Sequence, residues 1–324
     1  MYTVAIIGAG QLGSRHLQGL LTINIPIKVE VLDSNPASLS LAETRANEIP
    51  LNDNILGITY CNDLTDLSNE IDLVIIATTS SVRYLIIEQL LQSKTVKNMI
   101  LEKVLFQKIP EYDMTQALLL KNNVKCWVNC PRRSMPVYQK LRSLIAPGEV
   151  LTCTVIGGSW GLASNAIHFI DLINYLNGAD EFTYTTSSIA KVENAKRPGY
   201  LELSGTLYAH QSNGSDILFH SRGNSTAELR IQLLSENYFW EIDEIRQTIT
   251  TSAGNNKWER NSSGFQILYQ SQLTGIISEE ILRTGKTELT DYTVSSKLHK
   301  DFLDAVSGLF NSDSSYINTI CPIT

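Results

Sequence analysis

The chain has 324 residues, enough for about two domains with ample core, and at 43% hydrophobic and 18% charged it has the make-up of an ordinary globular protein. A net charge of −7, with a pI near 5.3, argues against nucleic acid as a partner, because phosphate binding needs a basic face. No apolar run approaches the roughly 18 residues of a membrane span. The N-terminus enters a strand almost at once, leaving no room for a signal peptide, so a cytoplasmic protein is expected.

Val4-Ala5-Ile6-Ile7 reads as a fully buried strand, and Gly8, Gly10 and Gly13 follow it at G-x-G-x-x-G spacing before a helical run from Gln11 to Leu21. The physical logic is a nucleotide site. Gly8 makes the tight turn, Gly10 lets a pyrophosphate approach the backbone, and Gly13 lets the helix pack close to the sheet while its N-terminus offers free N–H groups. A second apolar strand, Ile27 to Leu32, ends in Asp33, 20 positions after Gly13, where a carboxylate can take the adenosine ribose hydroxyls. Ser34 and Asn35 bring no positive charge for a 2′-phosphate, and the next basic residue is Arg45, so NAD is expected in preference to NADP.

The pattern then alternates. A helix is expected over Pro36–Glu48, a strand over Ile58–Cys61, a buried strand over Ile71–Thr78 and a helix over Val82–Gln92. A strand over Asn98–Lys103, a helix over Pro110–Lys121 and a strand over Val124–Asn129 follow. Such alternation predicts an α/β, doubly wound parallel sheet, the Rossmann arrangement, over residues 1–129, with ligands at the strand C-terminal ends. The character changes near residue 130. After a helix over Met135–Ile145, a strand over Val150–Ile156 and the loop Gly157-Gly158-Ser159-Trp160-Gly161, an amphipathic helix is expected over Ser164–Leu176. Period-two runs from Phe182 to Thr251 predict successive antiparallel strands, and helices over Gly264–Thr284 and Val294–Leu309 close the chain. Residues 130–324 are therefore expected to form an α+β substrate-binding and dimerisation domain on an open, mostly antiparallel sheet.

Cys61, Cys126, Cys130, Cys153 and Cys321 are scattered and odd in number, which fits reduced thiols. Cys126 and Cys130 bracket Trp127-Val128-Asn129 in an expected strand, but no matching Cys or His pair stands nearby, so buried thiols rather than a metal site are expected.

Four motifs, in order and over essentially the whole length, resemble the Gfo/Idh/MocA oxidoreductase family. They are Gly8-Ala9-Gly10-Gln11-Leu12-Gly13 with His16, Ile75-Ile76-Ala77-Thr78, Glu102-Lys103-Val104, and the helix from Gly161 through His168 to Asp171. The departures are Thr79 for a usual proline, Arg83 for a common histidine, Val104 for the proline of E-K-P, Ser164 for a common catalytic aspartate, and Ala166 for a glycine. The resemblance implies hydride transfer between nicotinamide and a secondary alcohol or ketone carbon of a sugar or nucleotide-linked sugar, in a homodimer or homotetramer. It implies cofactor contacts from Gly8, Gly10, Gln11, Leu12, Gly13, Asp33, Thr78 and Glu102. Lys103 would hold the substrate oxygen and assist proton transfer, and His168 would pass the proton. Arg132, Asn165 and Asp171 join Lys103 and His168 as substrate contacts, Asp171 as the orienting partner and Arg132 for an anionic group. Two other readings stay open: a dinucleotide-binding regulatory or scaffolding protein without turnover, and a family member using NAD for a net non-redox reaction. The Lys103–Val104 bond is expected to be trans, because cis before valine costs roughly 2.5–4 kcal/mol.

Overall fold

The computed structural model of the chain describes residues 1–310 and 320–324. In chain order the elements are β1 (Tyr2–Ile7), α1 (Gly13–Leu20), β2 (Ile27–Leu32), α2 (Pro36–Ala46), β3 (Ile55–Cys61), β4 (Glu70–Ile76), α3 (Arg83–Ser93), β5 (Thr95–Leu101), α4 (Ile109–Lys121) and β6 (Lys125–Val128). Then come α5 (Pro136–Leu144), β7 (Thr152–Gly157), α6 (Leu162–Asn177), β8 (Phe182–Thr185), β9 (Ile189–Asn194), β10 (Leu201–Gln211), β11 (Asp216–Ser221) and β12 (Arg230–Leu234). The chain closes with β13 (Tyr238–Asp243), β14 (Thr248–Ala253), β15 (Asn261–Gly264), α7 (Gln270–Thr284), β16 (Thr290–Asp291) and α8 (Tyr292–Phe310).

By contact the chain divides into two compact units. One comprises Met1–Phe106, Pro110–Pro131 and Leu268–Ser295; the other comprises Gln107–Ile109, Arg132–Ile267 and Ser296–Thr324. The sequence places a single boundary at 129/130, whereas Leu268–Ser295 packs with the first unit.

The first unit is a seven-stranded sheet in the order β16-β6-β5-β4-β1-β2-β3. All its pairings are parallel except that of β16 with β6. The central strands carry apolar residues on both faces, as a sheet covered on both sides requires: Val4, Ala5 and Ile6 of β1 and Leu73, Val74, Ile75 and Ile76 of β4 are fully buried. The C-terminal ends of β1 and β4 lie side by side, with Ile7 opposite Ile76, so the loops that leave them are neighbours.

The second unit is a sheet in the order β15-β14-β13-β12-β7-β11-β10-β8, with β9 also paired to β10. Its pairings are antiparallel except that β7 and β11 run parallel. Alternation is clear: Cys153 and Val155 of β7, Ile217 and Phe219 of β11, and Ile231 and Leu233 of β12 are buried, while the residues between them are not. The amphipathic α6 packs on β10 and β11, with Phe169 6.5 Å from Phe219 and edge-on to Trp160 at 5.8 Å.

Two local expectations are corrected. The helix expected from Gly264 starts at Gln270, because Asn261–Gly264 pairs as an edge strand with β14, where Thr250 and Ser262 share a hydroxyl hydrogen bond at 2.8 Å. A polar segment with low strand propensity is held there by its neighbour. The Lys103–Val104 peptide bond is cis rather than trans. The general preference of valine takes no account of this site, where Val104 is fully buried and its carbonyl accepts from the Arg83 guanidinium.

All five cysteines are buried, and none forms a disulfide among the described residues. Burial pushes Cys153 and Cys321 up to about 12. Among the described residues no helix is long and apolar enough to cross a membrane, and no group of His, Cys, Asp and Glu side chains could hold a metal ion.

Candidate functional site

In the first unit the loop between β1 and α1 is built around the absence of side chains. Gly8 has φ +95°, and a Cβ on it would lie 2.9 Å from Ala77 C and Thr78 N. A Cβ on Gly13 would lie 1.7 Å from the Gly8 carbonyl oxygen, so the helix can start where it does only with glycine there. A Cβ on Gly10 would meet nothing within 4 Å. The packing of the protein therefore makes no demand for glycine at position 10, and its backbone faces open space. The first turn of α1 carries no side-chain cap; the N–H groups of Ser14, Arg15 and His16 bond the Gly10 and Leu12 carbonyls, and the helix N-terminus keeps its positive end toward the loop.

Asp33, at the end of β2, accepts from the Ala9 N–H (2.8 Å) and the Asn35 N–H (2.9 Å). Each carboxylate oxygen keeps acceptor capacity for a ribose hydroxyl while the acid holds two loops in place. Arg45 of α2 donates to the Gln11 carbonyl (2.8 Å), the Gln11 side chain (2.6 Å) and Ser14 Oγ (2.6 Å). In sequence it figures only as a distant basic residue; here it fixes Gln11. Leu12 is exposed beside it. Thr78, where β4 ends beside Gly8, has a buried Oγ1 with no hydrogen-bond partner among the described residues. An open face at Gly10, an uncapped helix start, an acid at the ribose position and an orphaned buried hydroxyl together fit a dinucleotide.

Lys103 lies two residues beyond β5 and is half-buried. Glu102 beside it is buried, and its carboxylate is engaged internally: His16 Nε2 lies 2.9 Å from Oε1, and Asn129 Nδ2 donates to the same oxygen. His16 Nδ1 is 3.0 Å from Thr274 Oγ1 of α7, and Asn129 also donates to Gln270 Oε1 (2.8 Å). Burial alone would raise the Glu102 carboxyl. The bonds from His16 and Asn129 and the charge of Lys103 outweigh it and hold the group below the usual range. The fully buried Arg83 donates to the carbonyls of Thr78, Val104 and Leu105, the last at 2.8 Å, and so ties the end of β4 to the segment carrying Lys103.

In the second unit the face of α6 carries Ser164, Asn165 and His168, all half-buried. Asn165 Nδ2 donates to the Trp160 carbonyl (2.8 Å). Asp171 is buried and forms an ion pair with Arg133, whose Nε is 3.0 Å from Oδ2. Arg132 is held by partners within the second unit. Read in sequence as a contact for an anionic substrate, it grips Glu244 with two bonds (2.9 and 2.7 Å) and stacks on Phe169 at 4.2 Å. Its charge is already matched. Burial raises and Arg132 lowers the Glu244 carboxyl, with the net shift downward. The acid that pairs with Arg132 and the Glu202 carboxylate that meets Ser164 were not visible in sequence. Both sit at ordinary alternating positions of strands or turns, and no local pattern marks them.

Residues 2–130 match the model of the "Oxidoreductase family, NAD-binding Rossmann fold". No curated protein matches the chain by sequence. Among solved structures, the UDP-N-acetylglucosamine 3-dehydrogenase of Acidithiobacillus ferrooxidans is similar at TM-score 0.71 and 16% identity, over 94% of this chain and 96% of that one. The scyllo-inositol dehydrogenase of Lactobacillus casei, solved with NAD(H) and scyllo-inositol, is similar at TM-score 0.65 and 18% identity, over 94% and 96%. The transcriptional regulator Gal80p of Kluyveromyces lactis is similar at TM-score 0.68 and 13% identity, over 92% and 89%. At these identities the likeness is one of fold, and it extends over nearly the whole chain.

Proposed function

We propose, from the match of residues 2–130 to the oxidoreductase family with the NAD-binding Rossmann fold, that the protein is an NAD-dependent oxidoreductase of the Gfo/Idh/MocA type acting on a CH–OH carbon of a sugar, cyclitol or nucleotide-linked sugar. The observation that carries the reading is the glycine cradle, where Gly10 alone of the three is left open by the protein's own packing. When bound, the nicotinamide would accept or donate hydride. Gly10, Gln11, Leu12 and Gly13 would receive the pyrophosphate on backbone N–H groups, with Gly8, whose own N–H donates to the Leu32 carbonyl, making the turn beneath it; Asp33 would take the ribose hydroxyls, and Thr78 Oγ1 a further polar group of the cofactor. Glu102, engaged with His16 and Asn129, would act by fixing the segment that ends in Lys103.

Lys103 is proposed to hold the substrate oxygen by its ammonium group, and His168 to take the hydroxyl proton on oxidation and return it on reduction. Asn165 would hydrogen-bond a neighbouring hydroxyl. Asp171, paired with Arg133, would fix the helix that presents His168. A homodimer or homotetramer is proposed from the open face of the second sheet, where Ile156 and Tyr208 stand exposed among threonines; light scattering showing a monomer would contradict it. Turnover of NAD on a panel of cyclitols, aldoses and nucleotide sugars tests the function. Reduced nicotinamide formed with one equivalent of ketone is the expected result. Tight NAD binding with no turnover on any member would instead favour a regulatory protein, the reading kept in view by Ser164 and Val104 and by the likeness to Gal80p.

A further inference from the structure

One helix of the second unit carries a polar face joined by a carboxylate from elsewhere in the chain. Along α6 and its cap, Gly161, Ser164, Asn165 and His168 are half-buried, whereas Leu162, Ala163, Ala166, Ile167, Phe169 and Ile170 are buried. Steps of three, four and seven residues put the half-buried set on one side of the helix. Glu202 of β10 reaches that side. Its Oε2 accepts from the Ala163 N–H at 2.8 Å, its Oε1 accepts from the Ser164 N–H at 3.2 Å, and the Ser164 hydroxyl donates to the same Oε1. A Cβ on Gly161 would lie 2.9 Å from Ser164 Oγ and 3.1 Å from Glu202 Oε1, so glycine leaves the room in which the carboxylate seats against the helix.

The carboxylate is half-buried, not sealed, and so can exchange a proton with water. Burial raises the Glu202 carboxyl above the ordinary glutamate range, in spite of the lowering bonds from Ser164 and Ala163. A carboxyl so placed, on an accessible polar face, has the character of a proton carrier rather than of a helix cap alone. Its cross-strand partner on β9 is Glu193, which lies 3.8 Å from Lys191, and His168 lies one turn along α6 from Ser164.

We propose that Glu202 and Ser164 form a proton relay for His168. The inference rests on the oxidoreductase reading above. With nicotinamide bound as acceptor of the substrate C–H hydrogen and its electron pair, the substrate O–H proton would pass to His168. The imidazolium then gives a proton to Ser164 Oγ as the Ser164 O–H proton moves to Glu202. Histidine ends neutral, serine ends a hydroxyl, and the Glu202 carboxyl releases its proton to water. Reduction runs the same path backwards.

Glu202→Gln keeps the shape and removes the acid. It should lower kcat by about 10²-fold, the usual scale of an acid–base group, and change the acid limb of the pH profile to the one His168 alone gives, with NAD affinity and the urea midpoint little changed. Ser164→Asp added to Glu202→Gln returns a carboxylate to the same face and should recover turnover by about tenfold or more. Carbon-13 spectra of glutamate-labelled wild-type protein, assigned with Glu202→Gln, give a readout independent of turnover: the Glu202 carboxyl should titrate above the other glutamates and shift on adding a polyol that the enzyme oxidises. A Glu202→Gln enzyme with wild-type kcat and pH profile overturns the relay, as does a double variant no better than Glu202→Gln or a Glu202 signal indifferent to the polyol. A wild-type protein that turns over no polyol with NAD overturns the oxidoreductase reading itself, which is a separate outcome.

Discussion

Gly10 and Gly13 stand three residues apart in one loop, yet their replacement by alanine should have opposite consequences. The added methyl at Gly13 would sit 1.7 Å from the Gly8 carbonyl oxygen, a contact that forces the start of α1 away from β1. Overpacking of this kind costs about 1–3 kcal/mol or more, which at about 2–4 °C per kcal/mol lowers the melting temperature by several degrees. At Gly10 the methyl meets nothing within 4 Å, and its φ is not positive, so the fold accepts it. Stability should stay within about 1 kcal/mol, and a gain is expected because the unfolded chain loses freedom. The same methyl occupies the approach of the pyrophosphate. Losing one charge-assisted bond to backbone N–H, about 1.5–3 kcal/mol, weakens NAD binding roughly 10- to 100-fold. Calorimetric titration with NAD and thermal melts of both variants make the test. Gly10→Ala binding NAD as tightly as wild type would refute the assignment of the cradle, whatever happens at Gly13.

Three further outcomes are expected. Lys103→Ala and His168→Ala should each lower turnover by about 10²-fold while leaving NAD affinity nearly unchanged, since neither belongs to the cradle; near-normal kinetics in both would remove them from the mechanism. NAD should bind at least roughly tenfold more tightly than NADP, because Asp33 repels a 2′-phosphate at short range; tighter NADPH binding would show Arg45 overriding the acid. The lowered Glu102 carboxyl binds its proton less readily in the folded than in the unfolded state. Its contribution is therefore present above the ordinary value of 4.5 and is lost as pH falls through the lower folded value. Glu102→Gln should flatten the acid limb of urea stability, and an unaltered slope would contradict the role given to His16 and Asn129.

What was legible in sequence was what is local. The apolar run Val4–Ile7, the glycine spacing and the acid at Asp33 lie within one β-α-β stretch, and each reports on its own backbone. The parallel sheet followed from alternation, and the second sheet from period two. What escaped was long-range pairing of polar groups. His16 meets Thr274 across 258 positions, Arg132 meets Glu244 across 112, and Ser164 meets Glu202 across 38. A buried polar side chain must find a partner, but neither spacing nor propensity says which one. For the same reason Arg132 looked available for a substrate, and Glu202 looked like any outward-facing residue of a strand. The edge strand Asn261–Gly264 was missed because its pairing with β14, not its own composition, makes it a strand.

The account stands most directly on whether a substrate carbon gives its hydrogen to nicotinamide. The measurement is mass spectrometry of the reduced cofactor after turnover of a polyol carrying deuterium at the oxidised carbon. One deuterium should appear in the reduced nicotinamide for each ketone formed. Deuterium recovered in water, with the cofactor unlabelled, would contradict the proposed hydride transfer.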